Sequence, residues 1–464
     1  MTLFAHVMLL GWVPLVLLLF ALLPSRTAVV VSLVGAWLFL PMSGYPIPAF
    51  PDYTKLTATT LGVLLGTIIF DGTRILRFRP SILDVPAAVW CVVPVASSVS
   101  GGYGLYDGLS VTMSQLVIWG LPYLIGRLYF NDLAGLKELA VGLFIGGVVY
   151  TPLVLFEVRM SPQLHTWLYG FHQHDFVQSK RGGGWRPTVF MQHGLAVGMQ
   201  MTVSALLGVW LWITGATRTI RGIPMMWLVL PTLVAALLCK STGAAVLLVL
   251  GLSVLFVTRA TRLSVFVAML VVIPALYMCA RTVGGWSAQE IVALAELVGP
   301  ERADSLRSRL NSENGVWHRV QGNLWLGTGR FIFGAADPAD EVQYRVVADG
   351  YWIIALGRNG VLGLAAMTAM FVVPLLAFLR RYGGRSWGQA PVASGAALMV
   401  CGALFLTDLL FNAMMNPLLV AAIGGLAGAA AVRVGEAPRR VRRRRAAGAA
   451  SQSRARVSPG AARP

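Results

Sequence analysis

Apolar residues run in long blocks from one end of this chain to the other, without the two-residue alternation of a half-buried strand. Blocks of about 17 to 25 apolar residues match a helix that crosses the roughly 30 Å hydrocarbon layer of a bilayer. Inside lipid such a block must be helical, because a helix satisfies its backbone polar groups within its own segment. The pattern predicts an all-α, polytopic transmembrane bundle of about 12–13 spans. We place these spans at Leu3 to Leu23, Thr27 to Phe50, Thr57 to Phe70, Ile82 to Ser98, Leu109 to Tyr129, Leu139 to Phe156, Thr188 to Ile213, Pro224 to Leu238, Gly243 to Val257, Leu263 to Cys279, Trp352 to Leu379, Val392 to Phe411 and Pro417 to Val432.

The first two spans differ from the simple pattern. The first begins at Leu3 without a basic leader or a small-residue cleavage site, so we expect a retained helix and not a removed signal peptide. The second is interrupted by the proline-rich segment from Pro41 to Pro51. Proline breaks helices, which predicts a re-entrant or surface loop there.

Composition supports a membrane chain. Of the 464 residues, 56% are hydrophobic and only 12% are charged, whereas soluble domains carry about 25% charged residues. Cys91, Cys239, Cys279 and Cys401 each lie inside an apolar block. We interpret them as small buried hydrophobes, since their spacing fits neither a disulfide framework nor a zinc site.

Positive charge predicts the orientation, because short cytoplasmic loops keep an excess of arginine and lysine. Basic residues follow alternate spans, so they share one side, which we take as the cytoplasm of a bacterial inner membrane. The tail beyond the last span holds ten arginines against Glu436, about +9 of the formal +18. It lacks the interleaved aromatics of a nucleic-acid site, so we interpret it as a disordered cytoplasmic tail that touches anionic headgroups and binds no nucleic acid. The short-loop cations are Arg74, Arg77, Arg79, Arg127, Lys137, Arg218, Arg221, Arg259, Arg262, Arg380, Arg381 and Arg385.

The same orientation leaves two long loops outside the cytoplasm. The second holds Ser287 and Glu290 at capping-box spacing ahead of Ile291, Leu294 and Leu297, which predicts an amphipathic helix on the membrane surface. The chain then divides into N-terminal transmembrane helices (1–156), a first periplasmic loop (157–187), central transmembrane helices (188–280), a large periplasmic loop domain (281–348), C-terminal transmembrane helices (349–432) and the basic tail (433–464).

The large loop contains arginines suited to an anionic ligand. Arg309, Arg319 and Arg330 each offer the paired donors that grip a diphosphate. The alternative is an ordinary solvated loop, in which these arginines pair with acids such as Glu301, Asp304 and Glu313.

Three further ionisable residues fall near the outer ends of the central spans. Arg186 lies just before the seventh span, His193 lies inside it, and Lys240 stands between two apolar blocks. An ionisable residue at membrane depth indicates a functional site. The alternatives are a hydrogen-bonded helix histidine for His193 and a lysine that extends to the interface for Lys240.

The first long loop carries a histidine cluster, His165, His172, His174 and Asp175, on an aromatic-rich segment. Such a cluster has a zinc interpretation, but its histidines and aromatics fit contacts with sugar rings or headgroups equally well. We predict no metal and no cofactor. The glycine run from Gly182 to Gly184 lacks the Lys-Ser/Thr of a phosphate loop.

Several short motifs follow one another in a set order between Leu139 and Leu379. In chain order they are Arg186-Pro187, Ser241 to Gly243, Arg309 with Glu313-Asn314, Gly327 to Gly329 with Arg330, and Asp349-Gly350 ahead of Gly360 to Gly363. With many helices and one large outer loop late in the chain, this order resembles the O-antigen ligase and O-antigen polymerase superfamily of bacterial membrane glycosyltransferases.

The resemblance implies transfer of a glycan from an undecaprenyl-diphosphate carrier to a hydroxyl of an acceptor glycan or lipid, at the outer leaflet and without a metal. Arg186 and Lys240, with one or more of the three loop arginines, would stabilise the leaving diphosphate. Asp349 or His193 would be the base for the acceptor hydroxyl. Other polysaccharide assembly proteins are expected partners.

The chain departs from the family pattern at two of these positions. Family ligases tend to carry a histidine where this chain has Asp349. They often have Ser-Arg where this chain has Ser241-Thr242, with Lys240 one residue earlier. Polymerase and ligase are not separated by these residues, since the two differ only in the acceptor.

Two rival functions stay open. A transporter or flippase for lipid-linked sugars predicts acidic residues or broken helices at the bilayer midplane and paired repeats between the two halves of the chain. A non-catalytic scaffold predicts that the loop arginines can be replaced without consequence.

Overall fold

The chain folds almost entirely into helices. A computed structural model describes residues 1–48, 50–181, 183–297, 299–329 and 349–431, and 77% of the structure is helical. The predicted all-α class is therefore confirmed. The helices are α1 (Leu3–Leu10), α2 (Trp12–Leu22), α3 (Ser25–Phe39), α4 (Lys55–Leu76), α5 (Val85–Ser100), α6 (Gly104–Gln115), α7 (Leu121–Tyr129), α8 (Leu133–Met160), α9 (Leu164–Tyr169), α10 (Gly194–Ile213), α11 (Met225–Leu238), α12 (Thr242–Thr261), α13 (Val265–Thr282), α14 (Gln289–Glu296), α15 (Pro300–Val320), α16 (Tyr351–Arg381), α17 (Ala390–Asp408) and α18 (Pro417–Ala431).

The strands of the described residues are three antiparallel pairs of two residues each. They close tight turns between helices and form no larger sheet. The pairs are β1 (Gly44–Tyr45) with β2 (Tyr53–Thr54), β3 (Lys180–Arg181) with β4 (Gly184–Trp185), and β5 (Thr219–Ile220) with β6 (Ile223–Pro224).

Many helices are long and apolar enough to cross a membrane, consistent with a multi-pass membrane protein. A tenth candidate is the pair α1 and α2, which is bent by 46°. The chain also has three shorter apolar helices, α3, α11 and α18. When these are included, each predicted span overlaps a helix. The nine candidates within the described residues are Lys55–Leu76, Ile82–Ser100, Gly104–Tyr129, Leu133–Met160, Gly194–Ile213, Thr242–Thr261, Val265–Thr282, Tyr351–Arg381 and Ala390–Phe411.

Two predicted boundaries are wrong. The second span was placed to end at Phe50, but α3 ends at Phe39 and the β1–β2 turn follows. Pro41 cannot donate a helical backbone hydrogen bond, which explains the early end. The seventh span was placed to begin at Thr188, but α10 begins at Gly194 with His193 as its N-cap.

One end of the bundle gathers the long connections. Thr2 N–H donates to the Tyr169 carbonyl (3.0 Å), which brings the N-terminus to the loop after α8. Tyr351 N–H donates to the Leu409 carbonyl (2.9 Å), which brings the start of α16 to the connection after α17. We call this end, with residues 161–193, 283–329 and 409–416, the loop end.

Arginines of the short connections lie at the opposite end. Arg127 Nε lies 2.6 Å from Asp84 Oδ1, and Arg74 Nη1 donates to the Leu128 carbonyl (3.2 Å). These contacts join separate helices, so the short-loop cations also hold that end together. The basic tail, residues 433–464, lies outside the described residues.

The core is centred on α10 and α17. In each of these helices, 89% of the most apolar membrane-length stretch is buried. Small residues let the surrounding helices approach closely. A Cβ added to Gly126 of α7 would lie 1.9 Å from the Ala421 carbonyl oxygen of α18. Such close backbone contact through glycine is typical of helices packed in a membrane.

Helix α16 is broken at Gly360, which has a positive φ of 62°. The preceding segment repairs the break: Val361 N–H donates to the Leu324 carbonyl (2.9 Å), and Thr328 N–H donates to the Gly357 carbonyl (2.9 Å). The Gly327 to Gly329 turn therefore has a structural role, because it supplies backbone partners within an apolar helix.

The predicted capping box at Ser287 is wrong. The N-cap of α14 is Ala288, and no side chain caps this helix. The Glu290 carboxylate accepts a hydrogen bond from Trp286 Nε1 instead (2.9 Å). The apolar face of α14 packs against α15 through Ala288 and Leu310, while Leu294 is 64% exposed.

Candidate functional site

A buried carboxylate organises the loop between α8 and α10. Glu157 is fully buried near the end of α8. Its Oε1 accepts from Leu164 N–H (3.0 Å), and its Oε2 accepts from the N–H groups of Thr188 (2.9 Å) and Val189 (2.7 Å). One side chain thus fixes both ends of the loop, which sets the positions of the residues just before α10.

Arg186 and Lys240 lie in direct contact. The Arg186 guanidinium donates through Nε (3.3 Å) and Nη2 (3.1 Å) to the Lys240 carbonyl. Lys240 joins α11 to α12 with a φ of 50°, in the left-handed region that costs a non-glycine residue energy. The Lys240 side chain extends over Gly184 of β4, where an added Cβ would lie 2.6 Å from Nζ. The structure therefore brings these two predicted residues together, with Arg186 itself only 4% exposed.

His193 caps α10. Its Nδ1 accepts a hydrogen bond from Leu195 N–H (3.1 Å), and the side chain is 8% exposed. Burial first, then the neighbouring His174 and Arg186, lower its pKa from 6.5 to about 4. The imidazole is therefore neutral at pH 7.

The capping bond fixes the role that His193 can have. A ring nitrogen that accepts from a backbone N–H carries no proton, so the hydrogen-bond pattern assigns the proton to Nε2. In this arrangement His193 is a hydrogen-bond donor at Nε2 and has no free ring nitrogen for a base. Its predicted alternative role, a hydrogen-bonded structural histidine, fits this geometry, although it lies at the helix start and not inside the helix.

Arg309 and Asp349 form an ion pair at the loop end. Arg309 Nε on α15 lies 3.2 Å from Asp349 Oδ2, with exposures of 25% and 47%. Asp349 directly precedes Gly350, which is the N-cap of α16 and receives no side-chain capping bond. Asp349 therefore does not cap α16, and its carboxylate stays accessible beside a guanidinium.

The pairings expected for a solvated loop do not hold for Arg309, which pairs with Asp349, or for Glu313. Glu313 is buried and pairs with Arg281 of α13 (Nε to Oε2, 2.8 Å). Trp352 of α16 also donates to Glu313 (3.3 Å). Burial is the main cause that raises the pKa of Glu313, and the Arg281 guanidinium opposes it. This network fixes α15 against α13 and α16 one turn beyond Arg309.

Sequence reasoning missed Asp408 at the end of α17. It is 7% exposed, and its Oδ1 accepts from Asn412 Nδ2 (2.6 Å). Electrostatic interactions link Arg309 both to Asp408 and to His193, so these groups lie near one another. The available signal was an acid within the predicted span Val392 to Phe411.

The remaining predicted residues lie apart or outside the description. Arg319 is exposed on α15, ten residues after Arg309, which places it roughly 15 Å further along the helix axis. Arg330 lies outside the described residues.

The histidine cluster is engaged in local contacts. His165 is buried, with Nε2 accepting from Met42 N–H (3.2 Å) and Nδ1 bonded to the Phe171 carbonyl (2.8 Å). His174 packs its ring against His193 with centroids 4.7 Å apart. In the part of the chain that the structure describes, no group of three or more histidine, cysteine or acidic residues has the geometry of a metal site.

At or next to the loop end, the structure thus provides cations, a neutral imidazole and two carboxylates: Arg186, Lys240, Arg309, His193, Asp349 and Asp408. Such a set can bind an anionic group and accept a proton from a nearby hydroxyl. No family model matches this chain, and no curated protein matches it.

Proposed function

We propose that this protein is a membrane glycosyltransferase that moves a glycan from an undecaprenyl-diphosphate carrier to an acceptor hydroxyl, as a surface polysaccharide polymerase or ligase. The observation that carries the proposal is that Arg186, bonded to Lys240, and Arg309, paired with Asp349, both interact electrostatically with His193 at one end of a bundle of apolar helices. We further propose about thirteen spans, with the loop end at the periplasm and the tail in the cytoplasm of the inner membrane.

The donor would lie with its isoprenoid chain in the membrane and its diphosphate among the cations of the loop end. Breaking the bond between sugar and diphosphate develops negative charge on the leaving group. Guanidinium and ammonium groups held in place near a low-dielectric boundary stabilise that charge strongly. Arg186 is held by its bonds to the Lys240 carbonyl, so it needs little reorganisation during the reaction.

Asp349 is the better candidate for the base. His193 uses Nδ1 to cap α10, whereas Asp349 is half exposed beside Arg309. We propose that the donor diphosphate draws Arg309 away from Asp349 and frees the carboxylate. Asp349 would then take the proton of the acceptor hydroxyl as its oxygen attacks the sugar, and undecaprenyl diphosphate would leave.

The test uses the purified full-length protein in lipid nanodiscs with lipid-linked glycan extracted from the host. Asp349→Asn keeps size and most hydrogen bonds while removing basicity, so turnover should collapse with little change in donor binding. Glu296→Gln on α14 is a matched control, because that carboxylate also pairs with an arginine (Arg307, 3.0 Å) but is 54% exposed and remote in sequence. Near-normal transfer by Asp349→Asn at equal protein level would contradict the assigned role.

A second function has one specific observation in its favour. Helix α16 is broken at Gly360 next to Arg358, and discontinuous helices with ionisable residues are typical of transporters. The two functions are separated in nanodiscs, which have no sealed compartments. Glycan transfer in nanodiscs supports the enzyme. Movement of lipid-linked sugar across the membrane of sealed vesicles, without glycan transfer in nanodiscs, supports the transporter.

The lipid-linked glycans that accumulate after gene deletion separate the two enzyme classes. Single repeats would indicate a lost polymerase. Full-length chains would indicate a lost ligase.

A further inference from the structure

A cleft opens at the loop end beside the candidate site. It has a volume of about 650 Å³ and lies between the end of α3, the β1–β2 turn, the start of α4 and the last turns of α6. Val117 and Ile118 of the π-helical turn Leu116–Gly120 also line it, and α4 packs against this turn and against α7. A cavity of this size is in the range that holds small-molecule ligands.

The lining has the chemistry of a carbohydrate site. Thr54, Ser110 and Ser114 contribute hydroxyl groups, and Asp52 and Gln192 add a carboxylate and an amide. The hydroxyls and the amide both donate and accept and the carboxylate accepts, which matches the mixed donor and acceptor pattern of sugar hydroxyls.

Aromatic rings complete the lining. Trp37 and Phe50 border the cleft; Trp37 is buried under Lys55 Nζ (4.8 Å from the ring centroid), and Phe50 is 60% exposed and offers the open ring. A flat ring beside hydroxyl and amide groups suits a pyranose, which has an apolar face and a polar rim. A fatty acyl or isoprenoid chain would offer no hydrogen bond to the Asp52 carboxylate or the Gln192 amide, at a cost in free energy.

The cation of the cleft is already engaged. Lys55 is 4% exposed, and its Nζ donates to the carbonyls of Trp37 (3.2 Å) and Phe190 (3.3 Å). Since α3 ends at Phe39, the Trp37 carbonyl is one of the last-turn groups that lack a helical partner. Lys55 thus caps α3, and the lining favours a sugar over a phosphate group.

The cleft adjoins the candidate site along the chain. Gln192 lines it and directly precedes His193. Gln192 Nε2 also contacts Met414 Sδ (3.0 Å), and Met415 lines the same cleft. A ligand in the cleft therefore lies beside the residue that precedes His193 and beside the connection after α17.

We infer that this cleft binds the saccharide of the acceptor and presents its terminal hydroxyl toward Asp349. That the saccharide is the acceptor rests on the proposed function. Saccharide binding by the cleft does not depend on glycan transfer. The apolar residues Leu109 and Met113 of α6 are exposed next to the cleft. They provide a lipid-facing edge for an acceptor whose sugar is linked to a lipid.

The test measures protection of a single cysteine in the full-length protein. Cys91, Cys239 and Cys401 are buried as predicted, but the prediction is wrong for Cys279, which is exposed and is therefore replaced by serine. Ser114→Cys then places a thiol in the cleft, and a hydrophilic maleimide reports its accessibility in nanodiscs. Ser110→Cys serves if the first variant does not fold. Thr219→Cys, exposed in β5 between α10 and α11, is the control.

Two probes distinguish the ligand classes: glycan released by mild acid from the host's lipid-linked pool, and undecaprenyl phosphate without sugar. We expect the glycan to slow labelling of Ser114→Cys about tenfold at ten times its dissociation constant and to leave Thr219→Cys unchanged. Protection by undecaprenyl phosphate alone, or by neither probe, would overturn the inference.

A transfer assay on the same preparation separates this inference from the proposed function. Protection by glycan without any transfer supports the saccharide site and removes the enzyme. Transfer without protection supports the enzyme and overturns the saccharide site.

Discussion

Replacing Glu313 with alanine should destabilise the protein strongly. The Glu313 carboxylate accepts hydrogen bonds from Arg281 Nε (2.8 Å) and Tyr277 OH (3.1 Å). Arg281 is only 6% exposed, so the substitution leaves its guanidinium buried without its carboxylate. Breaking a buried ion pair from one side costs about 3–5 kcal/mol.

The chain offers a control of nearly the same geometry. Arg307 Nη2 lies 3.0 Å from Glu296 Oε1, but these side chains are 47% and 54% exposed. Solvent-exposed pairs contribute about 0–1 kcal/mol. Glu296→Ala should therefore leave the free energy of unfolding almost unchanged, so that the comparison isolates the effect of burial.

The assay is equilibrium unfolding of the purified protein in mixed micelles, followed by tryptophan fluorescence. Glu313→Gln should fall between the wild type and Glu313→Ala, because glutamine keeps the volume and accepts one hydrogen bond while losing the charge. Replacing Arg281 and Glu313 together by apolar residues should cost less than the sum of the single changes. A loss below about 1 kcal/mol for Glu313→Ala would refute the reasoning, since burial would then not govern this pair.

Three further predictions follow from the site and the bundle. The pKa of His193 is about 4 in the folded chain against an ordinary 6.5, so its contribution of up to about 3 kcal/mol to the free energy of unfolding is complete above pH 6.5 and is lost as the pH falls toward 4. The free energy of unfolding measured against pH should show this loss, and His193→Asn should reduce the pH dependence. Reporter fusions should be active outside the cytoplasm after Gly315 and inside after Gly448; activity of both on one side would contradict the proposed orientation. Transfer by the purified protein should persist in excess chelator, because arginine and lysine are proposed to hold the diphosphate; loss on chelation with recovery on adding magnesium would contradict this.

The sequence predicted the helices well because apolar length alone determines them. The α12 block is a clear case, since its apolar run from Gly243 to Val257 holds no charged residue and has no other stable form in lipid. Boundaries failed where a local bond decided them. His193 ends the loop before α10 because its own side chain caps the helix, and hydropathy carries no trace of that bond.

The candidate site was predictable only in part. Arg186 and Lys240 were expected at the same depth, and the structure joins them, but through a backbone carbonyl that no sequence pattern marks. Glu313 was assigned to nearby loop arginines, yet it pairs with Arg281, 32 residues earlier. This long-range pair depends on how α15 packs against α13 and α16. A single sequence carries no pattern from which that packing can be predicted.

The break in α16 has a consequence for how the protein is made. Val361 N–H donates to the Leu324 carbonyl, and Leu362 N–H donates to the Trp325 carbonyl. In lipid, each backbone group left without a hydrogen bond costs several kcal/mol. Helix α16 therefore cannot complete its backbone hydrogen bonds alone. It completes them only after the preceding segment has folded back against it. Deletions within residues 321–329 should thus expose the protein to membrane quality-control proteases during biogenesis, so that the chain is degraded before its chemistry can be measured.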